Sequence, residues 1–176
     1  MNFTQLLSDL RTKHAARRLE RFPPLRNLRI QVLELGADWR RVRILLPLSR
    51  CNRNPGGSMF GGAVACLADP IPALACNRLF PGHGVWTRRL EVDFVRPGTD
   101  DLVLRFAFSR AVEERIAREL AAKGRSTPDF EYGFYLPNGE MSARIRNWVA
   151  IRPIGDAVTG RDAMGLSSKR DENDDE

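Results

Sequence analysis

Asp69 is the only charged residue between Arg53 and Arg78, and it lies inside MFGGAVACLADPIPALAC (residues 59–76), the most apolar stretch of the chain. Burying a lone carboxylate costs several kcal/mol unless it is paired or hydrogen-bonded. Carboxylates in such settings concentrate at functional sites, where they handle protons or attack electrophiles. A competing reading makes Asp69 a helix cap, because Pro70 follows it and an Asp-Pro pair is a common helix start. Eight residues upstream, Gly61 and Gly62 open the same segment. Glycines at a helix N-terminus leave free N–H donors and let a ligand come close, so these two could stabilise an oxyanion; they could equally serve tight packing against a sheet. Asn54, six residues before Phe60, can orient water or a carbonyl, or can simply build a turn. Thr87, 18 residues after Asp69, offers a hydroxyl on a strand, where threonine is also an ordinary β-former.

These residues need elements to position them. Residues 59–76 are apolar on every face except at Asp69, the pattern of an enclosed helix rather than a surface one. At about 1.5 Å per residue the segment would span roughly 27 Å, about the length of a long strand, so a sheet could wrap it. Pro70 and Pro72 remove the donors for the carbonyls of Cys66 and Ala68 and should bend this helix. Around it the sequence predicts a helix over 4–21, stopped by Pro23 and Pro24, and strands over 28–35 and 39–46 joined by a Gly-Ala-Asp turn. A loop follows over 49–58. A long strand over 85–96 turns at Pro97-Gly98 into a partner strand over 102–109. An amphipathic helix over 111–123 precedes a last hairpin, 132–136 with 142–151, closed at Pro137-Asn138-Gly139. The order α-β-β-α-β-β-α-β-β predicts an α+β domain over residues 1–154, an antiparallel sheet curled around a central helix. The polar tail from about residue 155 has no periodicity and is expected to be disordered.

Composition narrows the function classes. The chain has 176 residues, 43% of them hydrophobic, enough for a core. No apolar run reaches the roughly 18–20 residues of a membrane helix. The first 22 residues carry scattered charges and no apolar core, unlike a signal peptide. Three cysteines argue against a disulfide framework and suit a reducing cytoplasm. With two histidines and no CxxC or HxxxH spacing, no metal site is expected. The net charge of +6 hides an acidic end: the last eight residues, KRDENDDE, carry −3, leaving +9 over the other 168. A basic body attracts anions, and charge alone does not choose among nucleic acid, phospholipid and phosphorylated small molecules.

The run Asn54-x5-Phe60-Gly61-Gly62-x6-Asp69, then Thr87, then EVDFVRPG at 91–98, resembles the hotdog-fold acyl-CoA thioesterase superfamily. It is similar to the phenylacetate-pathway-like branch and the four-hydroxybenzoyl-CoA-type enzymes, and the likeness covers roughly residues 27–152. Those enzymes read Asn, His-Gly-Gly, Leu-Ala-Asp, then a strand ending near Arg-Pro-Gly. The resemblance implies hydrolysis of acyl-CoA thioesters, with no cofactor beyond the coenzyme A of the substrate. It makes Asp69 the nucleophile or general base, the Gly61 N–H the donor that polarises the thioester carbonyl, Asn54 a holder of water or carbonyl, and Thr87 an assistant to the carboxylate. The family builds its site across a dimer interface, so Asn54 and Gly61 would face Asp69 and Thr87 of another subunit. Its sheets join edge to edge, and dimers often pair into tetramers. Gly62 and Phe60 would contact substrate, and Arg53, Arg88, Arg89 and Arg96 could meet coenzyme A phosphates. Met59, Phe60, Leu67 and Phe94 could line an acyl site. The partner is then a small-molecule acyl-CoA, not nucleic acid. Phe60 stands where those enzymes have His, and Met-Phe-Gly-Gly with Asp-Pro marks a separate branch. A phenylalanine cannot hydrogen-bond, which motivates the alternative of a non-catalytic acyl or acyl-CoA binding protein. A hotdog dehydratase would want a histidine beside the carboxylate, and His83 sits in a turn away from the helix.

Overall fold

A computed structural model describes residues 3–154, with side chains from residue 12 onward. The acidic tail lies outside the described residues. The first helix, α1 (Phe3–Arg21), ends where the proline pair requires. Those prolines then open a short helix of their own, α2 (Pro23–Asn27), because at the first helical positions a missing N–H costs nothing. The strands are β1 (Gln31–Leu35), β2 (Arg41–Leu46), β3 (His83–Phe94), β4 (Leu102–Ala107), β5 (Asp129–Tyr135) and β6 (Met141–Pro153). They form one six-stranded sheet in the order β1-β2-β4-β5-β6-β3, every neighbouring pair antiparallel.

Period-two patterning fixes which face is buried. On β2, Val42, Ile44 and Leu46 are fully buried while Arg41 and Arg43 face water. Leu102, Leu104 and Phe106 of β4 and Ala143, Ile145, Val149 and Ile151 of β6 cover the same inner face. Helix α5 (Arg110–Lys123) is capped at both ends: the Ser109 hydroxyl accepts from the Val112 N–H at 3.2 Å, and Gly124 takes the left-handed conformation (φ 63°). The fork of Arg40 on Glu113, at 2.6 Å and 3.1 Å, ties α5 to the start of β2.

Two sequence expectations are corrected. Pro97-Gly98 does not close a hairpin. β3 pairs with β6 and β4 lies between β2 and β5, so residues 95–101 carry the chain from an edge of the sheet to its interior. Local turn chemistry cannot report that β6, 13 residues long, matches the 12 residues of β3 in an eleven-pair register. Second, the central apolar segment is two helices, α3 (Gly61–Ala68) and α4 (Pro70–Leu79), and not one. They meet at Asp69, which keeps right-handed helical angles (φ −46°, ψ −54°), so the backbone runs through the break without turning back.

Val64, Leu67, Ala68, Ile71 and Ala75 pack this broken helix onto the inner face of the sheet. The opposite side is open: Gly62, Asp69, Asn77 and Arg78 are exposed, so the sheet encloses the helix on one side only.

The break itself is pinned from the sheet. Pro72 supplies no N–H to the Ala68 carbonyl four residues before it, and an unpaired acceptor in the interior costs about 1–3 kcal/mol. The Tyr132 hydroxyl donates to the Ala68 carbonyl at 2.8 Å. The Asp69 carbonyl receives the Thr87 hydroxyl at 3.0 Å and the Asn147 amide at 3.1 Å. Asn147 also donates to the Tyr132 oxygen at 3.4 Å. Tyr132→Phe should therefore lower unfolding stability by about 1–3 kcal/mol, read from urea denaturation. A change within experimental error would mean that the Ala68 carbonyl needs no partner.

Candidate active site

Phe60 enters α3 in an extended conformation (φ −68°, ψ 126°), and Gly61 is the first helical residue. An N-terminus leaves its first N–H groups without intrahelical acceptors, and no other acceptor reaches the Gly61 N–H among the described residues. Glycine is required here by space: a Cβ at Gly61 would stand 2.8 Å from the Phe94 ring. The Phe60 ring folds back over Gly62, and Phe60 and Phe94 are 55% and 56% exposed, an unusual pair of water-facing aromatics around one helix end.

The loop before α3 is held by its asparagines. Asn54 bonds the Ser58 hydroxyl at 2.9 Å through its amide and accepts from the Ser58 N–H at 3.2 Å. Asn52, which sequence reasoning passed over, is fully buried and donates to the carbonyls of Leu28 and Pro47 at 2.7 and 2.9 Å. Its own carbonyl receives the Phe60 N–H at 2.6 Å. A cleft of 430 Å³ opens beside this turn, walled by Asn54, Met59, Gly61, Phe94 and Arg96. Two candidate residues, Asn54 and Gly61, thus share one cleft. Of the four residues expected at an acyl site, Met59 and Phe94 line this cleft, Phe60 does not, and Leu67 belongs to the sealed core.

Asp69 and Thr87 form the second cluster. The capping explanation for Asp69 fails, since its side chain makes no cap bond. Among the described residues its carboxylate has neither an ion pair nor a hydrogen bond, and in the single chain it is exposed rather than enclosed. Thr87 does not touch the carboxylate; it holds the Asp69 main chain, as Asn147 does. Asn147 was legible only indirectly, as a polar residue at an inward position of β6 between Ile145 and Val149. Burial pushes the Tyr132 phenol above its usual range, and the Asp69 charge acts in the same direction. Burial also raises the Cys66 thiol, again with the Asp69 charge adding. Eight helical residues separate Gly61 from Asp69, roughly 12 Å, so one chain holds two half-sites apart.

The arginines divide. Arg96 lines the cleft and pairs with Glu140, whose carboxyl it holds below the usual range together with the Asn138 amide. Arg89 pairs with Glu91 and lies 4.9 Å over the Trp148 ring. Arg88, at a bulge in β3, is exposed and has no partner among the described residues. Arg53 reaches only the Leu48 carbonyl, at 3.5 Å. The three cysteines are all free thiols, and among the described residues no cluster of His, Cys, Asp and Glu could hold a metal ion. No described helix is long and apolar enough to cross a membrane.

A family model described as a domain of unknown function (DUF4442) matches residues 13–149. No curated protein matches the chain. A Pseudomonas aeruginosa protein of unknown function, described as a probable thioesterase, superposes with a TM-score of 0.70 at 21% identity over 80% of this chain and 95% of that one. A Haemophilus influenzae thioesterase gives 0.62 at 14% identity, covering 84% and 94%. The Escherichia coli PaaI protein of the phenylacetic acid degradation operon gives 0.57 at 18%, covering 81% and 91%. At these identities the likeness is one of fold: the sheet and central helix described above are the hotdog fold.

The Asp69 charge can be read chemically at Cys66, one helical turn away. In a Cys51→Ser background, Asp69→Asn should remove one of the two causes that raise the Cys66 thiol. Iodoacetamide labelling of Cys66 at pH 8 should then accelerate, because more of the thiol is ionised. An unchanged rate would mean that the carboxylate is directed away from that helix face.

Proposed function

The chain belongs to the DUF4442 family, and from that premise we propose that it hydrolyses acyl-CoA thioesters to the free acid and coenzyme A, with no cofactor. The observation that carries this reading is Asp69. Its main chain is fixed by two side-chain donors while its carboxylate is left unpaired, at the one acidic position of the broken central helix. A carboxylate held in place through its backbone and free of protein partners is available to take a proton from a ligand or water.

In the proposed reaction the thioester carbonyl oxygen accepts from the Gly61 N–H at the positive end of α3. Asp69 takes a proton from water as the water oxygen attacks the carbonyl carbon. The tetrahedral intermediate collapses, the carbon–sulfur bond breaks, and the departing thiolate recovers the proton from Asp69. Asn54 holds the turn that presents Gly61, and Thr87 and Asn147 hold Asp69.

The two half-sites are about 12 Å apart in one chain, too far for one carbonyl to meet both. We therefore assign each site to two subunits. The fold supports this: β3 is a 12-residue edge strand paired on one side only, and a long open edge is a template for another chain. This reading assigns coenzyme A phosphates to Arg88 on that edge and to Arg96 at the cleft, which would exchange its Glu140 partner for the ligand. The free thiols fit a reducing cytoplasm.

The non-catalytic reading draws on Phe60, an exposed ring with no hydrogen-bonding capacity at the mouth of the helix. Acyl-CoA bound tightly without turnover at any chain length would favour it. Under the hydrolase reading, purified protein sediments as a dimer or tetramer and turns over members of an acyl-CoA panel. Asp69→Asn keeps the fold by circular dichroism and loses at least about 100-fold in kcat. Full activity in the folded Asn variant, or in a monomer, would refute it.

A further inference from the structure

A second cavity, of 550 Å³, lies on the open side of the broken helix, between α1 and α4. Its floor is one face of α4, where Pro70, Leu74, Asn77 and Arg78 follow at helical spacing. Leu19 and Phe22 at the end of α1 form a wall, and Trp39 closes the groove. Both the size and the apolar lining suit a small-molecule site.

Three features mark this groove as more than loose packing. Trp39 has φ 59°, a conformation in which a bulky side chain is strained, and a bond from its N–H to the Gly36 carbonyl at 2.8 Å holds it there with the indole lining the groove. Phe22 is 50% exposed and gives the groove an aromatic wall. Arg18 and Arg78 come together on this one groove from α1 and α4, and neither has an acidic partner among the described residues, so both guanidinium groups are available to an anion.

The position of the groove gives the direction of its ligand. One end is Pro70, the residue after Asp69, and Arg78 lies eight residues further, roughly 12 Å along the helix. We propose that this groove binds the acyl chain of the substrate and that the chain carries a terminal carboxylate, held by Arg78 and Arg18. Methylene groups match the Leu, Phe, Pro and Trp walls, which would not suit the polar nucleotide of coenzyme A. A distal carboxylate matches two free guanidinium groups, which bind such groups bidentately. The assignment rests on the hydrolase reading for the thioester, but the groove can be tested without turnover.

Calorimetry on the full-length protein compares 10-amino-10-oxodecanoate, whose amide stands in for the thioester, with neutral decanamide and free coenzyme A. The acid-amide should bind at least about tenfold more tightly than decanamide. Arg18→Gln/Arg78→Gln, two exposed positions whose change leaves the core intact, should erase that preference while decanamide binding stays unchanged. Kinetics adds the second arm, with sebacoyl-CoA preferred over decanoyl-CoA by a similar factor in kcat/KM, lost in the same double variant. Equal or tighter binding of decanamide, no binding of either amide, or a preference that survives the double variant would overturn the proposal. Coenzyme A binding that the double variant abolishes would also overturn it, by assigning the arginines to phosphate. Selective binding of the acid-amide with no thioester hydrolysed would keep the groove and remove the hydrolase reading. Hydrolysis of both thioesters at one rate would do the reverse.

Discussion

A helix interrupted by prolines in the interior needs donors from elsewhere, and in this protein the sheet supplies them. Pro72 denies the Ala68 carbonyl its helical donor and the Tyr132 hydroxyl reaches in from β5 to replace it, while Asn147 and Thr87 donate from β6 and β3 to the next carbonyl, that of Asp69. Three strands are thereby registered on one point of the central helix. The point is Asp69, so the contacts that satisfy the backbone also fix where its carboxylate stands. Pro70 looks harmful when residues 59–76 are read as one helix, yet at the first position of α4 its missing N–H costs nothing.

The same helix has two chemically distinct ends. At Gly61 it offers N–H donors in a cleft rimmed by Asn54, Phe94 and Arg96. At Asp69 it offers an unpaired carboxylate beside an apolar groove. Donor and carboxylate on one rigid rod cannot approach each other, so any chemistry that needs both needs two rods. The open edge of β3 gives a physical means of bringing a second one.

Much of this was legible in the residues. The alternation of Val42, Ile44 and Leu46 with arginines, and the all-round apolarity of 59–76, carry the α+β plan of sheet and central helix. Gly61 as the helix opening and Asp69 as the odd charge were visible because each breaks a local rule. Other features were hidden for physical reasons. Pro97-Gly98 has the chemistry of a tight turn, yet which strand β3 joins is decided by length and burial far away in sequence. Asn147 and Tyr132 look like ordinary strand residues until the freed carbonyls are placed against them. Asp69 was expected to be enclosed because hydropathy counts neighbours along the chain, and the open side of α4 exists only in three dimensions. The groove along α1 was invisible for the same reason, since Arg18 and Arg78 lie 60 residues apart in sequence.

Subunit complementation tests the two-rod account most directly. Both variants are built in a Phe94→Ala background, which clears the space that a Cβ at residue 61 needs: Gly61→Pro removes one N–H at a helix start, and Asp69→Asn removes the base. Each variant alone is expected to be inactive. After mixing, unfolding and refolding together, random pairing yields heterodimers with one intact site, and about a quarter of the rate of the Phe94→Ala parent should return. No recovered activity in verified heterodimers would contradict a site shared between subunits.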